Sequence, residues 1–310
     1  MFSYLAVRNV DVGDVWRSLR ETQYAWLVPA LALLACWFLL RVVRWQLLFK
    51  PGRRPPFPPT ARALFIGYFV NNIAPVRAGE VAKTAALSRL GRLPLSEAAA
   101  TVIVERAFDV LSLLALLFVT APWLPHVGWL KGAAVLAAVV VVALAAAVVV
   151  FVRYGERPLR VLFRPLARLP FMPAAAVEHA PAHFLGGLAG LLRAGQGLVA
   201  FALTCVSWLV LSVGFWLVMI AFDLGLSPLA GLLVVVAIGL SLILPSSPAG
   251  LGVFEGATVL ALAAYDVDES RALSFALVLH ALNVLPFIVI GVPWLGRAAF
   301  AVRRPAGSTD

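Results

Sequence analysis

The sequence predicts an all-α polytopic membrane protein, with about five full transmembrane helices and two re-entrant helical hairpins in an inverted-topology repeat. Three observations lead there. The 310-residue chain is 62% hydrophobic and only 13% charged, with a mean hydropathy of +0.96, whereas soluble domains carry about 25% charged residues. Its apolar residues gather in runs of roughly 20, the length that crosses a hydrocarbon core as a helix. Two shorter apolar runs end in breakers, one at Pro75 and one at Pro245 with Pro248. Broken backbone at membrane depth is tolerated only where protein or a water-filled cavity covers it.

Residues 1–25 contain Arg8, Asp11, Asp14, Arg17, Arg20 and Glu21, with no apolar core of a cleavable signal peptide. They read as a peripheral segment. One transmembrane domain follows over 26–296, and 297–310 form a tail. Full spans are expected at roughly 26–49, 95–120, 132–152, 197–222 and 272–296. The first interrupted run, 63–76, is followed by a helical piece at 80–90 whose Glu80, Lys83 and Arg89 keep it from crossing lipid unaided. The second, 229–245, is followed by a piece at 252–265. Each pair reads as a hairpin that enters and leaves by one face.

Charge sets the orientation. With two such hairpins, segments 41–62, 77–97, 153–196 and 297–310 fall on one side and hold 19 of the 25 Lys and Arg. The positive-inside rule makes that side cytoplasmic, so a multi-pass protein of the bacterial inner membrane is expected, with its C terminus inside and residues 1–25 outside. The formal charge of +10 sits in short clusters at the ends of apolar runs, which suits an anionic leaflet and not nucleic acid. Within 153–196, Arg157, Arg160, Arg164 and Arg168 recur opposite Leu159, Leu162, Phe163, Leu166 and Leu169. That is a basic amphipathic pattern for a membrane surface, kinked at Pro165. Cys36 and Cys205 lie in apolar runs without metal-ligand spacing and read as buried packing thiols. His126, His179 and His183 suggest no metal site, and neither a Walker pattern nor a nucleophile triad is present. No metal or cofactor is expected.

The two hairpins resemble each other. NNIAPVRAGE (71–80) and LILPSSPAGLGVFEG (242–256) share the order apolar segment, Pro, Gly, Glu. Pro75 and Gly79 break the first, and Pro245, Pro248, Gly250 and Gly252 break the second. Glu80 precedes Glu105 by 25 residues, and Glu255 precedes His280 by the same number. Asp109 then follows Glu105 by four, and Asn283 follows His280 by three. Repeat one covers about 61–120 and repeat two about 228–296. The three spans between the hairpins make them enter from opposite faces, the arrangement that many transporters build around a midplane site.

The polar residues have two readings each. Glu105, Arg106 and Asp109 lie inside 95–120, with Glu105 and Asp109 on one face that Glu97 and Thr101 extend. Charges in hydrocarbon are costly and face a bundle interior or a wet cavity. They serve a lipid headgroup or a proton, with Arg106 for phosphate, or they form a structural ion-pair network. Arg77 and Glu80 flank Gly79 at a helix start, where they cap and snorkel or bind lipid phosphate. Asn71 and Asn72 satisfy exposed backbone groups or hydrogen-bond a ligand. Gly250, Gly252 and Glu255 form no nucleotide fingerprint, since no strand precedes them. The glycines serve a tight turn, and Glu255 belongs at the outer mouth as Glu80 does at the inner one. His280 and Asn283 share a face of the last span, with His280 either packing or titrating near neutral pH.

NNIAPVRAGEVAKTAALSR, VIVERAFDVL and LPSSPAGLGVFEGA, in that order, resemble the motifs of the flippase-like membrane family named for the transmembrane region of lysylphosphatidylglycerol synthase. The family also has stand-alone members linked to hopanoid or polyprenyl-lipid metabolism, and RVVRWQLLF (41–49) is similar to the basic end of one of its helices. The resemblance runs from about residue 10 to 296. It implies lipid translocation, with Arg77, Glu80, Glu105, Arg106, Asp109 and Glu255 at motif positions. Ala249 stands where a Gly is expected, the helix that usually opens the pattern is missing, and no soluble aminoacyl-transfer domain follows, so lipid synthesis is not implied.

The expected function is therefore the flipping of an amphiphilic lipid between leaflets along a polar crevice between the hairpins. The lipid would be a phospholipid, an aminoacylated phospholipid, a hopanoid or a polyprenyl-linked lipid. Protons on Glu105, Asp109 or His280 are the candidate coupling. An intramembrane enzyme acting on a lipid phosphate or glycan, with Glu105 and Asp109 as acid and base, is the alternative, as is a non-transporting scaffold. A second copy of the chain or lipid-synthesis enzymes are the candidate protein partners.

Overall fold

Nine α-helices and no strand are found among the residues that the computed structural model describes, which are 12–75, 77–124, 194–243 and 247–302, with scattered positions between 128 and 182 and side chains as far as Val292. The helices are α1 Val12–Glu21, α2 Leu27–Leu47, α3 Phe57–Ile73, α4 Ala78–Gly91, α5 Leu95–Thr120, α6 Ala194–Ala221, α7 Pro228–Ser241, α8 Val253–Ala263 and α9 Glu269–Val302. The predicted span at 132–152, the basic amphipathic pattern within 153–196, Pro245 and three of the four His residues (126, 179 and 183) lie wholly or largely outside the described residues.

Among the described residues, three helical stretches, 24–47, 195–221 and 269–292, are long and apolar enough to cross a membrane. Helix α5 has 26 residues and would reach about 39 Å at 1.5 Å per residue, but Glu97, Glu105, Arg106 and Asp109 interrupt its apolar face. The interrupted runs form shorter helices. The first is α3, of 17 residues, and the second α7, of 14, about 26 and 21 Å against a hydrocarbon core of about 30 Å. Each is paired with its sequence neighbour, α3 with α4 and α7 with α8, so two helix–break–helix hairpins exist.

Proline chemistry places the first break. Helix α3 starts behind Pro56 with Pro58 and Pro59 in its first turn, where a missing N–H costs no helical bond. It ends at Ile73 because Ala74 precedes Pro75 and is forced extended, at φ −112° and ψ 144°. In the second hairpin a 3-10 turn spans Pro248–Gly250, with Ala249 at φ +56° and Gly250 at φ +77°, before α8 starts behind Gly252 at φ +82°. Ala249 thus occupies a left-handed conformation that glycine adopts without strain, which accounts for the glycine expected there.

Helix α7 is buried continuously from Ala230 to Ile238, so it has no lipid-facing side. It packs against α5, α6 and α8 and shares one apolar core with these and with α2 and α9. A second cluster, with Trp45, Leu64 and Leu87 at its centre, ties the first hairpin to α2 and α5. Large apolar side chains such as Val28, Ile103, Val119, Leu198 and Val289 point outward, as a surface solvated by lipid tails requires. Cys36, expected to be a buried thiol, is on that outer surface, and Cys205 is half-buried. Both runs are apolar all round, and sequence alone does not say which side of such a helix meets protein.

Candidate functional site

The first hairpin closes on small residues. A Cβ at Gly67 would stand 2.8 Å from Lys83 Cβ and 3.2 Å from the Gly79 carbonyl oxygen, so α3 and α4 cross at glycine contact. Asn71 Oδ1 accepts the Gly79 N–H at 2.8 Å, satisfying one of the free donors at the start of α4. Of the two asparagines, Asn71 is the one that satisfies an exposed backbone group. Asn71 serves the backbone, and the Asn72 amide nitrogen is buried without a hydrogen-bond partner. Arg77 precedes α4 in a left-handed conformation, φ +54°. A non-glycine residue there stores about 1–3 kcal/mol, and such strain gathers at functional sites.

Behind this break lies a buried ion network. Glu105 is fully buried and meets Arg44 Nη2 at 2.6 Å, Lys83 Nζ at 2.8 Å and Arg41 Nη2 at 3.5 Å. Asp109 takes Arg41 Nη2 and Arg44 Nη1, each at 2.6 Å, and Arg106 Nη1 at 3.6 Å. Glu80 completes it through Lys83 at 2.9 Å and Arg106 at 2.7 Å. Lys83 thus bridges Glu80 and Glu105, the pair 25 residues apart. Aromatic faces flank the cations, Trp37 and Trp208 beside Arg41 and Trp45 beside Lys83, at 5.1–5.3 Å. Glu97 pairs with Arg53 at 3.0 Å, and Thr101 accepts the Trp45 indole N–H at 3.0 Å.

The second hairpin has a simpler lock across the same spacing. His280 Nδ1 lies 2.5 Å from Glu255 Oε1, and Nε2 lies 3.0 Å from the Ala249 carbonyl. Both ring nitrogens face acceptors, an arrangement that a doubly protonated imidazole satisfies. Glu255 Oε2 also accepts the Gly252 N–H at 2.7 Å, and Phe254 stacks on the imidazole at 4.4 Å. His280 therefore pins the left-handed turn to α9. His280→Gln should lose this clamp and destabilise the protein by about 1–3 kcal/mol, because buried acceptors, Glu255 Oε1 and the Ala249 carbonyl, lose the ring that meets them. Thermal unfolding in detergent checks this, and an unchanged midpoint contradicts it.

Between the two hairpins is a cavity of about 480 Å3, within the range of small-molecule sites. Asn72, Arg77, Glu80, Arg106 and Asp109 line one part of it, and Ala249, His280 and Asn283 line another. Apolar side chains, among them Val110, Leu113, Val235 and Phe287, complete the wall. Asn71, Glu105 and Glu255 do not line it: each holds a neighbouring group in place. Asn283 gives its amide N–H to the Leu279 carbonyl at 2.8 Å.

Three charged members of the network were misplaced by sequence reasoning. Arg41, Arg44 and Lys83 were counted among charges of cytoplasmic segments, but all three are buried, at 2%, 0% and 2% exposure. Helix α2 continues to Leu47, so Arg41 and Arg44 sit inside it, one turn apart, facing Asp109 and Glu105. Two carboxylates at i and i+4 facing two arginines at i and i+3 was the signal available. Trp37, Tyr68 and Trp208 also line the cavity, and nothing separates them from other aromatics in apolar runs. Among the described residues no cluster could hold a metal ion. Against families of known proteins, the model described as lysylphosphatidylglycerol synthase TM region matches residues 1–291. No curated protein matches the chain.

Proposed function

The chain belongs to the family of the lysylphosphatidylglycerol synthase TM region, and from that premise we propose that it moves an amphiphilic lipid from one leaflet to the other. The observation that carries the reading is the cavity itself, walled by both hairpins and polar where each of them is broken. A headgroup crossing hydrocarbon alone loses its hydration. Inside the cavity it exchanges water for Arg77, Asn72 and Asn283 while its tails remain outside. The matched locks, Glu80–Lys83–Glu105 in one hairpin and Glu255–His280 in the other, support an inverted repeat in which two hairpins act as alternating gates. The accompanying topology is five spans with two re-entrant hairpins in a bacterial inner membrane, C terminus inside.

The ion pairing of Glu105 and Asp109 favours transport over catalysis. Each carboxylate is already held by two guanidinium or ammonium groups at 2.6–2.8 Å, which suits a fixed scaffold better than an acid and base that must exchange protons. The test is leaflet exchange of fluorescent lipids in liposomes containing the purified protein, with mass spectrometry of the recovered lipid. Accelerated exchange with an unchanged lipid mass is expected. A changed mass points to an enzyme, and no exchange across anionic, aminoacylated and polyprenyl-linked lipids overturns the proposal.

A further inference from the structure

Five residues that line the cavity each carry a buried donor without a hydrogen-bond partner: the indole N–H groups of Trp37 and Trp208, the Tyr68 hydroxyl, the Asn72 amide nitrogen and Arg106 Nε. Buried polar atoms are seldom left unpaired, and these five donors outnumber the one carboxylate oxygen of the lining in the same state, Glu80 Oε2, which Lys83 holds as an ion pair at 2.9 Å. Arg77 also lines the cavity and has no ion-pair partner among the described residues. Its strained φ of +54° fixes where its side chain starts.

The charge balance points the same way. Arg41, Arg44, Arg77, Lys83 and Arg106 are five cations, against the three carboxylates Glu80, Glu105 and Asp109. Two of those carboxylates reach the cavity wall, and both are engaged: Glu80 by Lys83 and Arg106, Asp109 by Arg41 and Arg44. At the wall itself Arg77 and Arg106 stand against Glu80 and Asp109, and the excess of cations belongs to the buried network directly behind it, so the wall has one free fork of guanidinium donors and no uncommitted carboxylate. A planar guanidinium binds phosphate oxygens in pairs. An ammonium headgroup would bring a further positive charge to a wall whose carboxylates are already paired with cations.

We propose that the cavity selects a net-anionic phosphate-ester headgroup, with Arg77 as its principal ligand, and excludes headgroups that carry an ammonium group. This rests on the translocation reading only for how the headgroup arrives, since binding is measured without transport.

The probe is a fluorescent dioctanoyl phosphatidylglycerol bound to the full chain in a neutral detergent and followed by polarisation. Dioctanoyl phosphatidylcholine, dioctanoyl lysylphosphatidylglycerol and sn-glycerol 3-phosphate serve as competitors. Unlabelled phosphatidylglycerol should compete at least about tenfold better than either ammonium-bearing lipid, the ratio that one charge-assisted contact supports. Arg77→Gln should remove that preference and Arg77→Lys should keep part of it, with thermal unfolding confirming that both variants fold. Equal competition by all three lipids, tighter binding of the lysyl lipid, or an Arg77→Gln variant with its preference intact overturns the proposal. Binding of glycerol phosphate with no binding of the lipid probe also overturns it, by assigning the site to a soluble phosphate. Anionic preference without leaflet exchange supports the headgroup assignment and removes the transport reading. Exchange indifferent to charge does the opposite.

Discussion

Glu105→Gln should destabilise the protein by about 3–5 kcal/mol, the usual result of removing one partner from a buried ion pair. The side chain keeps its shape and loses only its charge. Arg44 at 2.6 Å and Lys83 at 2.8 Å then remain buried with one fewer carboxylate, in a network already richer in cations. Against a typical total of about 5–15 kcal/mol, that loss is large enough to lower the unfolding midpoint visibly in a detergent melt. A second change separates charge balance from simple loss of contact. Glu105→Gln combined with Lys83→Met removes one charge of each sign and should recover part of the loss, giving a coupling of about 1–3 kcal/mol in the double-mutant cycle. An unaltered midpoint for Glu105→Gln, or purely additive effects in the double variant, would show that the network is not what holds α2, α4 and α5 together. Loss of transport in Glu105→Gln alone would therefore say little about a headgroup contact, because the residue stands behind the cavity wall.

That distinction between wall and support is where sequence reasoning reached its limit. The elements themselves were readable from composition and breakers. Helix α5 was expected at 95–120 and occupies Leu95–Thr120, and both hairpin breaks fall at their Pro and Gly residues. Family membership was also legible, because three motifs stand in order. Partner choice was harder. Glu105, Arg106 and Asp109 announced themselves as charges in an apolar run, but two main partners of the carboxylates, Arg41 and Arg44, looked like the basic end of a helix. A guanidinium at a span end snorkels or turns inward depending on what faces it, and that depends on the packing of α2 against α5. The 25-residue spacing shared by Glu80–Glu105 and Glu255–His280 links each hairpin to the helix that follows it, by direct contact in the second and through Lys83 in the first. The unpartnered donors of Trp37, Tyr68 and Trp208 left no trace in the sequence, since an aromatic ring that packs and one that offers an N–H or O–H to a cavity are written with the same letter.

The central claim is that a lipid headgroup passes through the cavity between the hairpins, and blocking that cavity tests it most directly. Val110 lines it from α5, belongs to no ion pair and is replaced by Trp in the blocking variant. The indole fills space without changing the charge network. Val119→Trp, on the same helix but 68% exposed on the outer surface, is the control. Leaflet exchange in liposomes should fall at least about tenfold for Val110→Trp, equivalent to about 1.4 kcal/mol on the barrier, and stay near wild type for Val119→Trp, with both variants folded by thermal unfolding. Exchange that persists in the folded Val110→Trp protein would mean that the lipid takes another route, or that the cavity between the two hairpins serves a different purpose.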